Sequence, residues 1–267
     1  MSYLVDIDHA TKRFLTSAGT AHTAVQDITL QVTAGEFVAV VGPTGCGKST
    51  TLSLVSGLEP PSEGSVRVNG QPVRGIPSGV GYMFQADAML PWRTVLANVA
   101  SGPLWQGKPK EQADALARDW VARVGLAGFE DYYMHQLSGG MRKRVALAQT
   151  LVNEPSILLM DEPFSALDVQ TRALMQNELL DLWSGTSAAV IFVTHDLEEA
   201  ITLADRVVVM TASPARIKDT FEVHLERPRN VEEIRMTPEF IAIYREVWSS
   251  LSDEVAIARK TGASRVA

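Results

Sequence analysis

Short apolar runs alternate with stretches of helical period along this chain. EFVAVVG (36–42), SILLMDEP (156–163), AVIFVTH (189–195) and DRVVVMTAS (205–213) are rich in valine and isoleucine and almost continuously apolar. Strands of a parallel sheet, covered on both faces, have that pattern. Between them the spacing predicts helices over 48–56, stopped by Gly57, over 138–153, stopped before Pro155, and over 169–183, stopped near Gly185. The expected core is α/β with a mostly parallel sheet. The first thirty-odd residues and GSVRVNGQPV (64–73) alternate and are punctuated by turns, which predicts a small antiparallel β-subdomain. Residues from about 91 to 153 form a mostly helical insertion, expected to be a helical subdomain of a unit spanning 1–231. In the remaining 232–267, Thr237 and Pro238 suit the first positions of a helix and Glu239 its positive end. Phe240, Tyr244, Val247, Trp248, Leu251 and Val255 then recur at three- and four-residue steps, an amphipathic stripe expected to pack on this chain or on a second copy.

Composition narrows the function. Hydrophobic residues are 46% and charged residues 21%, as in folded globular proteins. A formal charge of −7 argues against nucleic acid as a partner, and the one compact basic cluster, Arg142-Lys143-Arg144, reads as a solvated helix face. A single cysteine allows neither an internal disulfide nor a cysteine-cluster metal site. No run approaches the roughly 18 apolar residues that span a bilayer, and the N-terminus lacks a signal-peptide stretch, so membrane work is expected to pass through a partner.

Two segments carry anion-binding chemistry. GPTGCGKST, from Gly42 to Thr50 (Gly42, Pro43, Thr44, Gly45, Cys46, Gly47, Lys48, Ser49, Thr50), fits G-x-x-x-x-G-K-[ST] between a strand and a helix, the P-loop context. Its backbone N–H groups are expected to cradle phosphate, Lys48 to reach the β- and γ-phosphates, and the Ser49 hydroxyl to bind Mg²⁺. LSGGM (137–141) opens a second helix with serine and two glycines. At strand ends, Asp161 suits a Mg²⁺-holding aspartate and Glu162 a general base for water. His195 follows another strand and is expected to contact the γ-phosphate and orient water. Asp196 and Glu199 read as a capping box after it. Gln85 offers a neutral amide for Mg²⁺ or water. The histidines at 9, 22, 135 and 224 are taken as surface or structural. Cys46, between Gly45 and Gly47, is expected to be a reactive thiol shielded by bound nucleotide.

Taken in order, these residues resemble the ATP-binding cassette ATPases over essentially the whole chain. The resemblance implies a Walker A motif at 42–50, a Q-loop at Gln85, a signature at Leu137, Ser138, Gly139, Gly140 and Met141, a Walker B strand ending in Asp161 with Glu162, a D-loop at Ser165 to Asp168 and a switch at His195. Phe14 stands where the family stacks an aromatic on adenine. Met141 departs from the family's usual glutamine, and a thioether donates no hydrogen bond. In this family two cassettes face head to tail, each giving its signature to the other's nucleotide, so the second anion site is for a partner's ATP.

The surrounding sequence is similar to nitrate, sulfonate and taurine-type importers. That implies an ATPase subunit peripheral to the cytoplasmic face of the inner membrane, with ATP and Mg²⁺ as cofactors. It also implies a second ATPase chain, integral permease subunits and, indirectly, an extracytoplasmic solute-binding protein. Met89, Leu90 and Trp92 are expected to line the groove that receives a permease helix. The alternative, a non-transport cassette acting on nucleic acid or ribosomes, would call for long coiled coils or a second cassette, and neither is seen in these residues.

Overall fold

The computed structural model describes residues 3–15, 19–86 and 88–266, with 261–266 as backbone only; the expected C-terminal tail beyond 260 lies outside the described side chains. In chain order the strands are β1 (Val5–Leu15), β2 (Ala21–Val32), β3 (Phe37–Val41), β4 (Glu63–Val68), β5 (Gln71–Pro72), β6 (Val80–Met83), β7 (Ile157–Asp161), β8 (Ala189–Thr194), β9 (Arg206–Met210) and β10 (Ile217–Glu222). The helices are α1 (Lys48–Ser56), α2 (Val95–Val99), α3 (Ser101–Trp105), α4 (Lys110–Arg123), α5 (Gly139–Leu151), α6 (Val169–Ser184), α7 (Leu197–Leu203), α8 (Val231–Ile234) and α9 (Pro238–Val266).

A six-stranded sheet of order β10-β9-β3-β8-β7-β6 forms the centre, parallel except for β10 at one edge. Its strands are apolar throughout because both faces are covered, and successive side chains divide between two cores. Val38, Val40, Ile157, Leu159, Ile191, Val193 and Val208 face one way, onto α1 and the antiparallel sheet β2-β1-β4-β5. Phe37, Ala39, Leu158, Met160, Val190, Phe192 and Val207 face the other, where the remaining helices pack. The chain thus has the P-loop NTPase architecture, with a small antiparallel sheet on one side and helices α2–α5 between β6 and β7.

Local signals explain the helix ends. Gly57 stops α1 in the left-handed region at φ 73°, its N–H donating to the Leu54 carbonyl. Ser138 caps α5 by accepting from the Met141 N–H, and Asp168 caps α6 by accepting from the Thr171 N–H. Asp196 caps α7, accepting from the N–H groups of Glu198 and Glu199, but the expected box does not close. The Glu199 side chain turns inward instead, where its Oε2 accepts from Thr194 Oγ1 at 2.6 Å and its Oε1 from Gln176 Nε2 at 3.1 Å. A buried hydroxyl and amide need acceptors more than an exposed N-terminal N–H does.

Thr237 starts α9, its Oγ1 accepting from the Phe240 N–H at 3.3 Å. Phe240, Val247 and Leu251 are buried against α7, β9 and β10. Glu254 joins that buried face: Oε2 accepts from the Ala212 N–H at 2.9 Å and Oε1 pairs with Lys218 Nζ at 3.1 Å. Trp248 stays about half exposed. Together with Tyr244 and Val255 it overhangs a hollow of about 620 Å³ shared with Gly42, Pro43, Thr44 and His195.

Candidate active site

Parallel register brings the expected residues together. Met83 pairs with Met160, Asp161 with Val193, and Val41 with Thr194. Gln85, Glu162, His195 and the loop after Val41 therefore leave the sheet at one level, the carboxyl ends of the strands, where ligands of such sheets bind. A cavity of about 500 Å³ opens there, lined by Phe14, His22, Ala24, Thr44, Gly45, Gly47, Lys48, Ser49, Thr50, Gln85, Glu162 and His195.

The P-loop is shaped by backbone strain that glycine relieves. Gly47 caps α1 at φ 133°, and a Cβ there would lie 2.7 Å from the Ala24 carbonyl oxygen. Any larger residue strains the turn and collides with β2. Lys48 is buried, its Nζ donating to the carbonyls of Gly42 at 2.9 Å and Pro43 at 3.1 Å. Ser49 Oγ donates to Asp161 Oδ1 at 3.0 Å. Burial pushes the Asp161 carboxyl above its ordinary range; the Ser49 hydroxyl opposes this, neighbouring Glu162 adds to it, and Lys48 opposes it again. A buried acid beside a hydroxyl, its charged form disfavoured, is a site that a cation would relieve.

Glu162 is the strained member. Its φ is 43°, rare for a residue with a side chain, and its N–H donates to the Val193 carbonyl at 2.9 Å. Its Oε2 accepts from His195 Nδ1 at 3.0 Å and from Gln85 Nε2 at 3.3 Å. Three side chains from three strand ends thus meet at one carboxylate oxygen. Lys143 of α5, itself buried, donates to the Gln85 carbonyl at 3.0 Å, so the basic cluster is not only a solvated face.

Some expectations need correction. Cys46 is 2% exposed and packs in the core under the loop, its Sγ 3.0 Å from where a Cβ on Gly42 would stand. Burial pushes its thiol up, against the smaller opposing effect of Lys48, so the thiolate is disfavoured. Its N–H donates to the Pro43 carbonyl at 3.2 Å, closing the turn. Conversely His22, read as surface or structural, lies opposite Phe14 across β1 and β2 and lines the same cavity. Gly42 and Pro43 line the adjoining hollow under α9.

The segment Ser138, Gly139, Gly140 and Met141 is not part of the cavity lining, nor is Asp168. A Cβ on Gly140 would meet Thr171 Cγ2 of α6 at 2.8 Å, so α5 and α6 start in close contact there. Met141 is half-buried and packs on the core, which explains why an apolar thioether suits that position.

The structure separates the three residues expected at a permease groove. Met89 is buried among the helices, and the peptide of Leu90 is bonded in both directions to the fully buried Asn98, at 2.8 and 3.1 Å. Trp92 is exposed, as a docking residue would be. A separate groove of about 290 Å³ is formed by Tyr82, Phe84, Ala88, Trp105 and Gln106 with the end of α5. The Tyr82 and Phe84 rings stack at 4.1 Å, and Trp105 is 71% exposed.

A strand-to-helix phosphate loop with an acid pair and a histidine at neighbouring strand ends defines a nucleotide-hydrolysing P-loop protein. The ABC transporter family model matches residues 25–165. An uncharacterized ABC transporter ATP-binding protein of Methanocaldococcus jannaschii is 46% identical over 255 residues, covering 96% of this chain and 94% of that protein. A taurine import ATP-binding protein of Burkholderia pseudomallei is 42% identical, covering 88% and 92%. The solved dimer of an ATP-binding cassette in a post-hydrolysis state, bound to ADP and phosphate, superimposes with a TM-score of 0.73 at 27% identity, covering 83% of this chain and all of that one. The chain belongs to the ABC transporter family, as one of its ATPases. No helix among the described residues is long and apolar enough to cross a membrane.

The placement of Cys46 makes a direct prediction. Maleimide labelling of the folded chain is slow and independent of nucleotide, and becomes fast on denaturation, as mass spectrometry of quenched samples will report. Rapid labelling that ATP suppresses would place the thiol in the cavity instead.

Proposed function

We propose that this chain is the ATPase subunit of an ABC importer for a small solute of the nitrate, sulfonate or taurine kind. It works at the cytoplasmic face of the inner membrane beside permease subunits served by an extracytoplasmic solute-binding protein. The observation that carries the enzymatic part is the convergence of Gln85 and His195 on Glu162, next to the Ser49–Asp161 pair, at one end of the P-loop cavity. The importer reading is supported by the taurine import relative.

In this reading the adenine lies against Phe14, with His22 beside it. The phosphates lie along the N–H groups of the 42–50 loop and the start of α1, where the helix field favours negative charge. Lys48 exchanges the carbonyls of Gly42 and Pro43 for the β- and γ-phosphates. Among the described residues there is no cluster of three or more His, Cys, Asp or Glu that could hold a metal by itself. The Ser49 hydroxyl, Asp161 and the Gln85 amide instead fit Mg²⁺ held largely through substrate phosphates. Mg²⁺, when bound, neutralises charge developing on the phosphates. Glu162 takes the proton of the attacking water as water oxygen bonds to the γ-phosphorus and ADP leaves. His195, bonded through Nδ1 to Glu162, presents its Nε2 edge to the γ-phosphate.

The Ser138-Gly139-Gly140 start of α5 is offered to the ATP of a second copy, with Asp168 at the junction. Two such sites in a two-fold dimer make nucleotide part of the interface, so binding stabilises the dimer and hydrolysis loosens it. The aromatic groove of Tyr82 and Phe84, which immediately precede Gln85 in sequence, and of Trp105 from the end of α3 receives a permease helix.

Two outcomes follow. Glu162→Gln keeps the shape but removes the base, so hydrolysis falls by at least about 100-fold, the scale of general-base contributions. Light scattering then finds a dimer with Mg-ATP and a monomer with ADP; a variant that stays monomeric with saturating Mg-ATP contradicts the shared-nucleotide reading. Trp105→Glu leaves hydrolysis by the isolated chain unchanged but abolishes recovery of a polytopic permease from detergent-solubilised host membranes. Equal recovery would place the docking surface elsewhere.

A further inference from the structure

Behind the reacting end of the cavity lies a polar cluster with no part in the scheme above. Arg172, in the first turn of α6, reaches two segments at once. Its Nη2 donates to the Leu167 carbonyl at 2.9 Å, and its Nη1 donates to Asp196 Oδ2 at 3.3 Å. Its Nε stands 3.8 Å from Glu199 Oε1. Glu199 is 3% exposed and accepts from Thr194 Oγ1, while the Asp196 N–H donates to that same hydroxyl at 3.0 Å. Both neighbours of His195 are therefore pinned, Thr194 through Glu199 and Asp196 through Arg172. The imidazole itself has Glu162 as its partner. Neither Arg172 nor Glu199 lines the nucleotide cavity.

We propose that Arg172 is a positioning residue for hydrolysis: it ties the 165–168 segment to the end of β8, and so holds the His195 ring on Glu162. The inference rests on the reading of Glu162 and His195 as the hydrolytic pair. The chemistry asks for arginine. A planar fork directs separate N–H groups to a carbonyl and to a carboxylate at the same time, whereas an ammonium is a point charge on a flexible stem. Asp196 shows the division of labour, since Oδ1 caps α7 while Oδ2 takes the arginine. The effect should be geometric and fall on turnover. Arg172 and Glu199 lie outside the lining of the P-loop cavity, and a misplacement of about 1 Å at a reacting group costs up to about 100-fold in rate.

The test compares wild type, Arg172→Ala, Arg172→Lys, Asp196→Asn and, as control, Glu162→Gln. It uses steady-state hydrolysis, ATP affinity and the ring ¹⁵N signals of His195, assigned by their loss in His195→Ala. Arg172→Ala should lower kcat by about 10–100-fold with KM within about twofold, and should shift the His195 ring signals. Arg172→Lys should fall between Arg172→Ala and wild type. Asp196→Asn keeps the helix cap but weakens the arginine bond, so it should move in the same direction if Arg172→Ala fails to fold. An unchanged kcat, or a loss of rate that follows KM with His195 signals unmoved, overturns the proposal. If Glu162→Gln itself hydrolyses ATP normally, the hydrolytic pair is misassigned. If that control is inactive while Arg172 and Asp196 variants turn over normally, only the positioning role fails.

Discussion

The parallel pairing of β7 with β8, and of β6 with β7, sets the level at which the chain leaves the sheet. Asp161 stands beside Val193 and Met83 beside Met160. Glu162 then lies one step beyond its strand, level with Thr194, and His195 follows one step beyond the end of β8. A slip of one residue in any of these ladders would reverse which core each side chain faces and carry Gln85, Glu162 or His195 out of reach. The buried valines, isoleucines and leucines prevent that slip. The geometry of the candidate site is a consequence of core packing, because the same register that fills both faces of the sheet brings two side chains, Gln85 and His195, to one oxygen of Glu162.

The site works against the fold's own stability. Asp161 is held where its charged form is disfavoured, Lys48 is buried on two carbonyls, and Glu162 adopts a positive φ that costs on the order of 1–3 kcal/mol. These features are tolerated because the surrounding strands leave them little freedom. They also suit a site for a polyanion, which would replace the contacts that Lys48 makes with the carbonyls of Gly42 and Pro43.

Most of the framework was legible in the sequence, since it rests on local signals. Continuous apolar runs identify β3, β7, β8 and β9, Gly57 ends α1, and Ser138, Asp168 and Thr237 begin helices by accepting backbone N–H bonds. What escaped depends on which way a side chain points after long-range packing. Cys46 sits in a phosphate loop, yet its side chain turns to the core while the neighbouring Gly45 and Gly47 line the cavity. His22 reaches the cavity only through the pairing of β1 with β2, interrupted by register shifts that no periodicity announces. Glu199 has capping-box spacing, but a buried threonine and glutamine claim it. Trp105 comes from the end of α3, well along the chain from the Gln85 segment, so its place in one groove with Tyr82 and Phe84 is not visible in the sequence.

The central claim is that one chain supplies two phosphate-binding elements, the 42–50 loop for its own ATP and the Ser138 helix start for that of a second copy. Mixing two inactive variants tests it most directly. Lys48→Ala removes the first element and Ser138→Arg blocks the second, so neither variant hydrolyses ATP alone. In a mixed dimer one site combines an intact loop from one chain with an intact helix start from the other. The account predicts that hydrolysis returns on mixing. A mixture as inactive as its components would show that both elements serve the same chain's nucleotide.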